Sequence, residues 1–179
     1  DPIVIEVYAK QFAWQARYAG ADNTLGVGNV NFIDETNNPI GVDLSDPASL
    51  DDKPVTELHL PKGKKVLFKF RSQDVLHSAY MPHFRAQMNC VPGMVTQFAF
   101  TPKYTTEEMR EQSEVMDKVR GINKIRSEKG EDLYEFDYVL LCNKICGASH
   151  YSMQMKIVVE EEEDYKQWLA EQPTFAEKL

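Results

Sequence analysis

Short runs in which every second residue is apolar recur along most of this chain, and they limit the folds open to it more than any other feature. Clear examples are 66–70 and 153–159, which carry Val, Phe, Met and Ile at alternate positions. A period of two places those side chains on one face of a strand. Turn sequences such as Pro92-Gly93 separate the runs. Roughly seven short strands of this kind predict an all-β fold, either an antiparallel sandwich or a barrel.

The predicted strands differ in how clearly their limits are marked. Residues 3–18 change parity near Lys10, so one bent strand or two strands fit equally well. Further strands are predicted at 57–60, 65–70, 95–100, 134–142 and 153–159. The segment 20–53 is rich in Gly, Asn, Asp and Pro, which predicts a long loop with one short ribbon at 30–33.

Two segments have helical rather than strand character. In 105–132, Thr105 and Glu108 have the spacing of a capping box, and apolar residues then recur at helical spacing among many charges. The segment 164–171 is predicted to be a closing helix, with acidic residues near its N-terminus, where the helix dipole favours them. We therefore expect one domain over 1–179, with a helical insertion at 105–132 and a short C-terminal helix.

Charge and hydropathy exclude some classes of function. The sequence has 28 acidic and 20 basic residues and a net charge of -8, which opposes nucleic-acid binding because the acidic side chains outnumber those that could contact phosphates. No apolar run reaches the roughly 18 to 20 residues that cross a bilayer. The chain begins at Asp1 without a methionine. We expect a processed product from which any signal or membrane anchor has gone.

The most distinctive chemistry lies in one segment, CNKICGASHYSM, at 142–153. Its spacing is Cys-x3-Cys-x3-His-x2-Met, and it lies between two predicted strands. Thiolate and imidazole ligands select copper or zinc, and the thioether favours copper, for which methionine is a known weak axial ligand. A mononuclear copper site on Cys146, His150 and Met153 needs one more histidine, which His77 is well placed to supply. Cys142 is then a second thiolate, which would allow both sulfurs to bridge two copper ions.

Other interpretations of the two cysteines stay open at this point. Cys142 and Cys146 could form a disulfide, hold zinc together with His150 and His77, or be buried core thiols. A Cys-x3-Cys pair alone would favour these alternatives. The additional glycine, histidine, methionine and upstream histidine favour copper.

The remaining histidines and the third cysteine are weaker candidates for metal binding. His59 lies within a predicted strand, and His83 follows His77 by six residues. We expect structural roles for His59 and His83 and a small buried thiol at Cys90.

Four stretches of the sequence together resemble one known family. They are DVLHS at 74–78, CVPGM at 90–94, the segment 142–153, and KQFAWQARY at 10–18. In these stretches the chain is similar to the soluble copper domain of cytochrome c oxidase subunit II. That family has an upstream D-V-x-H-S, a VPG turn, the loop Cys-x-Glu-x-Cys-Gly-x-x-His-x-x-Met and an aromatic Q-W-x-W-x-Y stretch. The likeness covers most of the chain except 20–53 and 105–132, and it implies a cupredoxin-like Greek-key sandwich.

The resemblance also implies a dinuclear copper centre. Its ligands would be the sulfurs, the imidazoles and one main-chain carbonyl of six residues: His77, Cys142, Lys144, Cys146, His150 and Met153. The two cysteines would bridge both ions. His77 and Met153 would complete the coordination of one ion, and His150 with the Lys144 carbonyl that of the other.

An electron-transfer function follows from the same resemblance. It implies that the domain accepts electrons from cytochrome c, or from a cytochrome held in the same complex, and passes them to haem a in oxidase subunit I for the reduction of O2. The implied location is the outer, periplasmic face of a bacterial cytoplasmic membrane. The implied attachment is an N-terminal anchor outside this sequence.

The sequence departs from the family's pattern at three positions. Lys144 replaces the usual Glu, so its carbonyl can still bind copper but its side chain cannot supply a Mg²⁺ ligand, because an ammonium group has no acceptor lone pair. Phe12 stands where the family has an exposed Trp associated with electron entry, while Trp14 matches the following, more structural Trp. Asn89 stands where an Asp of the docking face is common. The uncharged residues Phe12, Trp14 and Asn89 are the candidates for electron entry or docking. We expect apolar contact rather than long-range charge attraction to hold the donor.

Two other functions fit parts of the pattern. The copper domain of a nitrous oxide reductase shares the loop, although it normally continues from a large propeller. A non-redox copper carrier, or a disulfide-stapled interaction domain with the 105–132 helix as its partner surface, would use the same residues without electron transfer.

Overall fold

The computed structural model describes residues 1–178 as two five-stranded sheets that enclose one main hydrophobic core. The strands are β1 Ile3–Lys10, β2 Ala13–Tyr18, β3 Lys53–Val55, β4 Leu58–Pro61, β5 Val66–Ser72, β6 His77–Met81, β7 Ala86–Cys90, β8 Thr96–Phe100, β9 Tyr138–Cys142 and β10 Gln154–Glu160. Their order is β3-β2-β1-β5-β8 in the first sheet and β4-β10-β9-β6-β7 in the second. The pairs β1–β5 and β4–β10 are parallel, and the other pairs are antiparallel.

The helices of the described residues are short, apart from one of 17 residues. They are α1 Pro47–Leu50, α2 Thr106–Arg110, α3 Ser113–Lys129, α4 Glu162–Glu171 and α5 Phe175–Lys178, with 3-10 turns at Val30–Phe32, Pro82–Phe84 and His150–Ser152. None of the helices in this part of the chain combines the length and the apolar character that a bilayer crossing requires.

The predicted all-β sandwich is confirmed, and β5 illustrates why it forms. Val66, Phe68 and Phe70 are fully buried, whereas the residues between them are half-buried. Phe68 stacks against Phe100 of the neighbouring β8 with their ring centroids 5.5 Å apart. Alternate positions therefore direct one face of each sheet into the shared core.

The segment predicted as strand at 3–18 is a hairpin of two strands. Six consecutive residues of β1 are buried, because β1 lies in the middle of its sheet and is covered on both faces. One face enters the main core, and Tyr8 on the other packs with Ile40, Val42 and Phe175. The long loop that contains Ile40 thus covers the outer face of the sheet, so β1 does not alternate between buried and exposed residues.

One predicted strand is wrong and another is shorter than expected. The ribbon predicted at 30–33 is a 3-10 turn, because the Asn29 side chain caps it by accepting a hydrogen bond from Asn31 N at 2.9 Å. The strand predicted from Tyr134 begins only at Tyr138. Before it, the Asn123 side chain of α3 hydrogen-bonds both the N–H and the carbonyl of Tyr134 and so holds that segment against the helix.

Strands β3, β6 and β7 were outside the predicted set. All three are short and carry few large apolar residues.

The helical insertion and the closing helix are confirmed. Thr105 Oγ1 accepts a hydrogen bond from Glu108 N at 3.1 Å, and the Glu108 carboxylate accepts one from Thr105 N at 2.9 Å, which completes the predicted capping box. A break at 111–112 divides the insertion into α2 and α3. The closing helix α4 begins at Glu162, two residues earlier than predicted.

Candidate metal centre

The segment 142–153 lies at one end of the second sheet, in the connection from β9 to β10. Cys142 is the last residue of β9, and His77 is the first residue of β6. The two strands are antiparallel neighbours, with Ala79 opposite Cys142. An antiparallel pair places the start of one strand beside the end of the other, so His77 and Cys142 meet although 65 positions separate them in the sequence.

Three side chains form a compact group that could hold a metal ion. The ligand atoms of His77, Cys142 and Cys146 all lie within 4.8 Å of one another, and all three residues are buried. The two sulfurs are 3.8 Å apart, and His77 Nδ1 lies 3.8 Å from the Cys142 sulfur. With metal–sulfur bonds of about 2.3 Å, sulfurs 3.8 Å apart would subtend about 110° at a shared ion. The donor set and its spacing therefore fit copper or zinc, and both cysteines are free thiols rather than a disulfide.

Two of the other predicted ligands lie beside this group. His150 Nδ1 lies 3.5 Å from the Cys146 sulfur, and the Lys144 carbonyl lies 3.2 Å from the Cys142 sulfur. The Met153 side chain is buried, while the Lys144 side chain is exposed. The two imidazoles thus stand beside different sulfurs of the pair.

Burial affects the protonation of the thiols. It raises the pKa of Cys146 to about 11, and the hydrogen bond with Cys142 acts in the same direction. The metal-free cysteine is therefore held as a neutral thiol, and a metal ion would have to displace its proton.

Asp74, for which no role was predicted, orients His77. Its carboxylate is 2.8 Å from His77 Nε2 and accepts a hydrogen bond from the backbone N–H of Gln11 at 2.6 Å. Burial opposes ionisation of Asp74, but these hydrogen bonds outweigh it and lower the pKa of that carboxyl. With Nε2–H donating to Asp74, His77 presents the lone pair of Nδ1 to the sulfurs.

The turn between β1 and β2 and the start of β2 also contact the segment 142–153, called the cysteine loop from here on. The Gln11 side chain donates to the Cys146 carbonyl at 2.5 Å, and Trp14 Nε1 donates to the Met153 carbonyl at 3.3 Å. Gly147 has φ +148°, and a Cβ there would lie 2.7 Å from the Phe12 ring. The stretch at 10–18 carries a recognisable motif, but nothing in its spacing indicates these contacts.

The candidate residues for electron entry lie in different surroundings. Phe12 is half-buried against Gly147, and Trp14 is buried with its ring 6.3 Å from that of His77. Asn89 is exposed on β7, beside β6. The loop itself presents two apolar side chains to solvent, since Ile145 is 88% and Tyr151 79% exposed.

The remaining histidines and the third cysteine have the structural surroundings that were predicted for them. His59 lies between the Glu160 and Glu57 carboxylates, at 2.7 and 3.0 Å, and its ring stacks on a tryptophan of α4. The His83 ring packs edge-on against Phe136. Cys90 is fully buried, which raises its pKa to about 12.

Comparison with known families decides what kind of domain this is. The family model described as the periplasmic domain of cytochrome c oxidase subunit II matches residues 3–123. The chain belongs to the cytochrome c oxidase subunit II family. The family takes its name from subunit II of cytochrome c oxidase, and membership implies copper binding. The matched residues end before the cysteine loop. The ligands of the centre must therefore be argued from the distances between the side chains and not from the family match.

Individual relatives agree with this family membership. The chain is 38% identical over 178 residues to the alternative cytochrome c oxidase subunit 2 of Bradyrhizobium diazoefficiens, a match that covers 98% of this chain and 53% of that protein. It is 26% identical over 112 residues to cytochrome c oxidase subunit 2 of Thermostichus vulcanus, covering 63% and 25% of the two chains. The chain thus corresponds to part of the length of these relatives.

A solved structure has the same fold. The periplasmic domain of subunit II of cytochrome oxidase from Bradyrhizobium japonicum superposes with a TM-score of 0.54 at 16% identity, covering 94% of this chain and 91% of that one. The predicted cupredoxin-like architecture is confirmed by this likeness.

Proposed function

We propose that this chain is the electron-transfer domain of a haem-copper terminal oxidase and holds two copper ions between β6 and the β9–β10 loop. The observation that carries the proposal is the buried group of His77, Cys142 and Cys146, whose ligand atoms lie within 4.8 Å of one another. These are the soft sulfur and imidazole ligands that copper prefers.

The arrangement of the two histidines favours two ions over one. His77 Nδ1 approaches the Cys142 sulfur at 3.8 Å, and His150 Nδ1 approaches the Cys146 sulfur at 3.5 Å. A pair of sulfurs with one imidazole at each end suits two ions bridged by both thiolates. Met153 would complete the ion bound by His77, and the Lys144 carbonyl the ion bound by His150.

The partners follow from the family. A cytochrome would donate electrons to the centre, and haem a of subunit I would accept them. Since the chain spans 53% of its Bradyrhizobium diazoefficiens relative, the anchor in the bacterial membrane and the contact with subunit I would involve the longer protein. The family match favours this oxidase function over the nitrous oxide reductase alternative. No Mg²⁺ ligand is expected from Lys144, whose ammonium group has no acceptor lone pair.

Copper stoichiometry and electron paramagnetic resonance test the proposal. The protein, with its thiols reduced before copper is added, should bind two copper ions per chain. It should then absorb in the visible through thiolate-to-copper transitions and give a multi-line paramagnetic resonance spectrum. Cys142→Ser should lose a bridging sulfur and drop to one ion or none. Cys90→Ala, which removes a cysteine outside the group, should keep both. A Cys142→Ser protein with two coppers and an unchanged spectrum would show the dinuclear assignment to be wrong.

The character of the donor can be tested separately. The exposed side chains of Ile145 and Tyr151 flank the centre, and Lys144 and Asn89 stand where related domains often have acids. We expect apolar contact to hold the donor, because Lys144 and Asn89 leave fewer acidic side chains there to attract a basic cytochrome. Salt at 0.1 M screens exposed charges more than about 10 Å apart, so a donor attracted by charge would react more slowly as salt is added. Stopped-flow oxidation of a soluble basic cytochrome c by the copper-loaded domain should be slow and nearly independent of salt. A fast rate that falls by orders of magnitude between low and moderate salt would contradict this expectation.

A further inference from the structure

The turn between β1 and β2 reaches across from the first sheet to the candidate centre in the second. At its tip, the side-chain amide of Gln11 donates to the Cys146 carbonyl at 2.5 Å, and the backbone N–H of the same residue donates to Asp74 at 2.6 Å. Asp74 in turn lies 2.8 Å from His77 Nε2. One residue therefore contacts both the cysteine loop and the carboxylate that orients the histidine.

We propose that Gln11 is a positioning residue for the metal centre: its side-chain amide fixes Cys146, and its backbone fixes Asp74 and thereby His77. The proposal deepens the copper function proposed above and rests on it. Gln11 does not bind the metal itself. It holds ligands from two separate connections at the spacing that the centre needs.

Few other hydrogen bonds reach this part of the cysteine loop from outside it. Within residues 1–178, the Gln11 amide makes the hydrogen bond that ties the segment 144–149 to the first sheet. The remaining backbone hydrogen bonds of 144–149, such as His150 N to the Gly147 carbonyl at 3.3 Å, lie within the loop. Loss of the Gln11 bond would therefore free the Cys146 backbone to move away from Cys142.

The chain next to Gln11 is shaped to fit the same loop. A Cβ at Gly147 would lie 2.7 Å from the Phe12 ring and 2.9 Å from the Gln11 amide nitrogen. The turn and the loop can approach this closely because position 147 has no side chain. Gln11 is itself exposed, so burial of its side chain does not explain why it lies against the loop. Its hydrogen bonds to Cys146 and Asp74 explain that position.

The matched test replaces Gln11 with a side chain of similar size that cannot donate. Gln11→Met removes the bond to Cys146 while keeping the backbone N–H that binds Asp74. Gln15→Met is the control, because Gln15 lies in the same hairpin and its Oε1 has no hydrogen-bond partner. Two readouts are needed. The first, on copper-loaded protein, is the rate at which a chelator removes copper, together with the paramagnetic resonance spectrum of that protein. The second is amide hydrogen exchange at 144–153 in metal-free protein with reduced thiols.

Hydrogen bonds that orient metal ligands typically contribute about 10- to 100-fold in metal affinity. We expect Gln11→Met to lose copper at least about tenfold faster than the wild type, with a changed copper hyperfine pattern, and Gln15→Met to stay within about twofold. In metal-free protein, exchange at 144–153 should be at least about threefold faster in Gln11→Met alone.

The two readouts separate this proposal from the copper function. Copper release and spectrum at wild-type values in Gln11→Met would overturn the positioning role while leaving the copper function intact. If the wild-type chain itself failed to take up copper, the proposed function would fall, and hydrogen exchange would decide whether Gln11 orders the loop. Unchanged exchange in that case would overturn the role of Gln11 as well.

Discussion

Arg17 carries a positive charge in the interior of the first sheet, and its removal should destabilise the domain strongly. Its side chain is 1% exposed, and its guanidinium contacts Asp52 at 2.7 Å and Glu6 at 3.1 and 3.3 Å. It also donates to the Gly26 carbonyl at 2.7 Å. Arg17→Met would keep much of the side-chain volume but leave these partners in a buried site without their common donor.

The size of the effect can be worked out partner by partner. Burial raises the pKa of Asp52 to about 6, although Arg17 opposes that rise. At pH 7, protonating a carboxyl with that pKa costs about 1.4 kcal/mol. Without Arg17, Asp52 can escape the unpaired buried charge by taking up a proton, so this value limits the cost of losing the charge interaction. An unpaired Gly26 carbonyl costs about 1 to 3 kcal/mol. Glu6 still pairs with the Arg71 guanidinium at 3.3 Å, so the Glu6 carboxylate loses only one of its two basic partners. We therefore expect about 3 to 5 kcal/mol, the range found for broken buried ion pairs.

The pH dependence of this loss has a definite sign. Because the pKa of Asp52 rises on folding from 3.8 to about 6, its contribution to stability is present at low pH and is lost as the pH rises through the folded-state value. At pH 5 the carboxyl is already protonated in the wild type, and the Arg17–Asp52 charge interaction no longer contributes. Arg17→Met should therefore cost less at pH 5 than at pH 7.5.

Urea unfolding of reduced, metal-free protein, followed by far-ultraviolet circular dichroism, measures the effect at both pH values. Arg120→Met is the control, because Arg120 pairs with Asp117 at the surface, where both side chains are more than 70% exposed. Such pairs contribute at most about 1 kcal/mol. A loss for Arg17→Met no larger than that of Arg120→Met, or a loss that grows as the pH falls, would show that the buried charge of Arg17 does not stabilise the domain through Asp52.

Two further predictions concern the cysteine loop and the helical insertion. Gly147→Ala should weaken copper retention and cost about 1 to 3 kcal/mol, because φ +148° is strained for an L-residue and the new Cβ would lie 2.7 Å from the Phe12 ring. Adding Phe12→Ala should recover part of the loss in copper titrations, and no recovery would contradict the steric explanation. Thr105→Ala should cost about 1 kcal/mol in urea unfolding by removing the N-cap of α2. Ser113→Ala, at the first position of α3, where Gln112 makes no side-chain cap, should have little effect, and equal losses in the two variants would count against the cap.

The sequence was most informative where a residue acts through its own chemical type. The spacing of Cys142, Cys146, His150 and Met153 predicts a soft-metal site whatever the surrounding fold, and alternation in β5 indicates its buried face. The partnership of His77 with Cys142 depends on the pairing of β6 with β9. His77 was proposed as the missing histidine from its position after the predicted strand at 65–70, and the resemblance to a family agreed, although β6 itself gave no clear strand signal.

Contacts between distant segments could not be predicted in this way. Gln11 meets Asp74 and Cys146 across separations of 63 and 135 positions, and Arg17 meets Asp52 across 35. A periodic pattern describes which face of one element is apolar but does not indicate which polar side chains another element will bring to it. The outer face of β1 shows the same limit, because the loop that covers it has no regular pattern of its own.

The cysteine loop shows how differently neighbouring positions are restricted. The Lys144 carbonyl lies near the Cys142 sulfur while its side chain is exposed, so exchange of the family's usual glutamate for lysine leaves the proposed donor atom in place. Gly147 contributes no donor atom to the centre, but the Phe12 ring occupies the space that a side chain would need. At position 144 the side chain can therefore vary while the backbone carbonyl stays in place. At position 147 the hairpin that packs over the loop leaves no room for a side chain. The residue types of the proposed ligands would define the chemistry of this centre, and the β1–β2 turn packs against the loop that carries most of them.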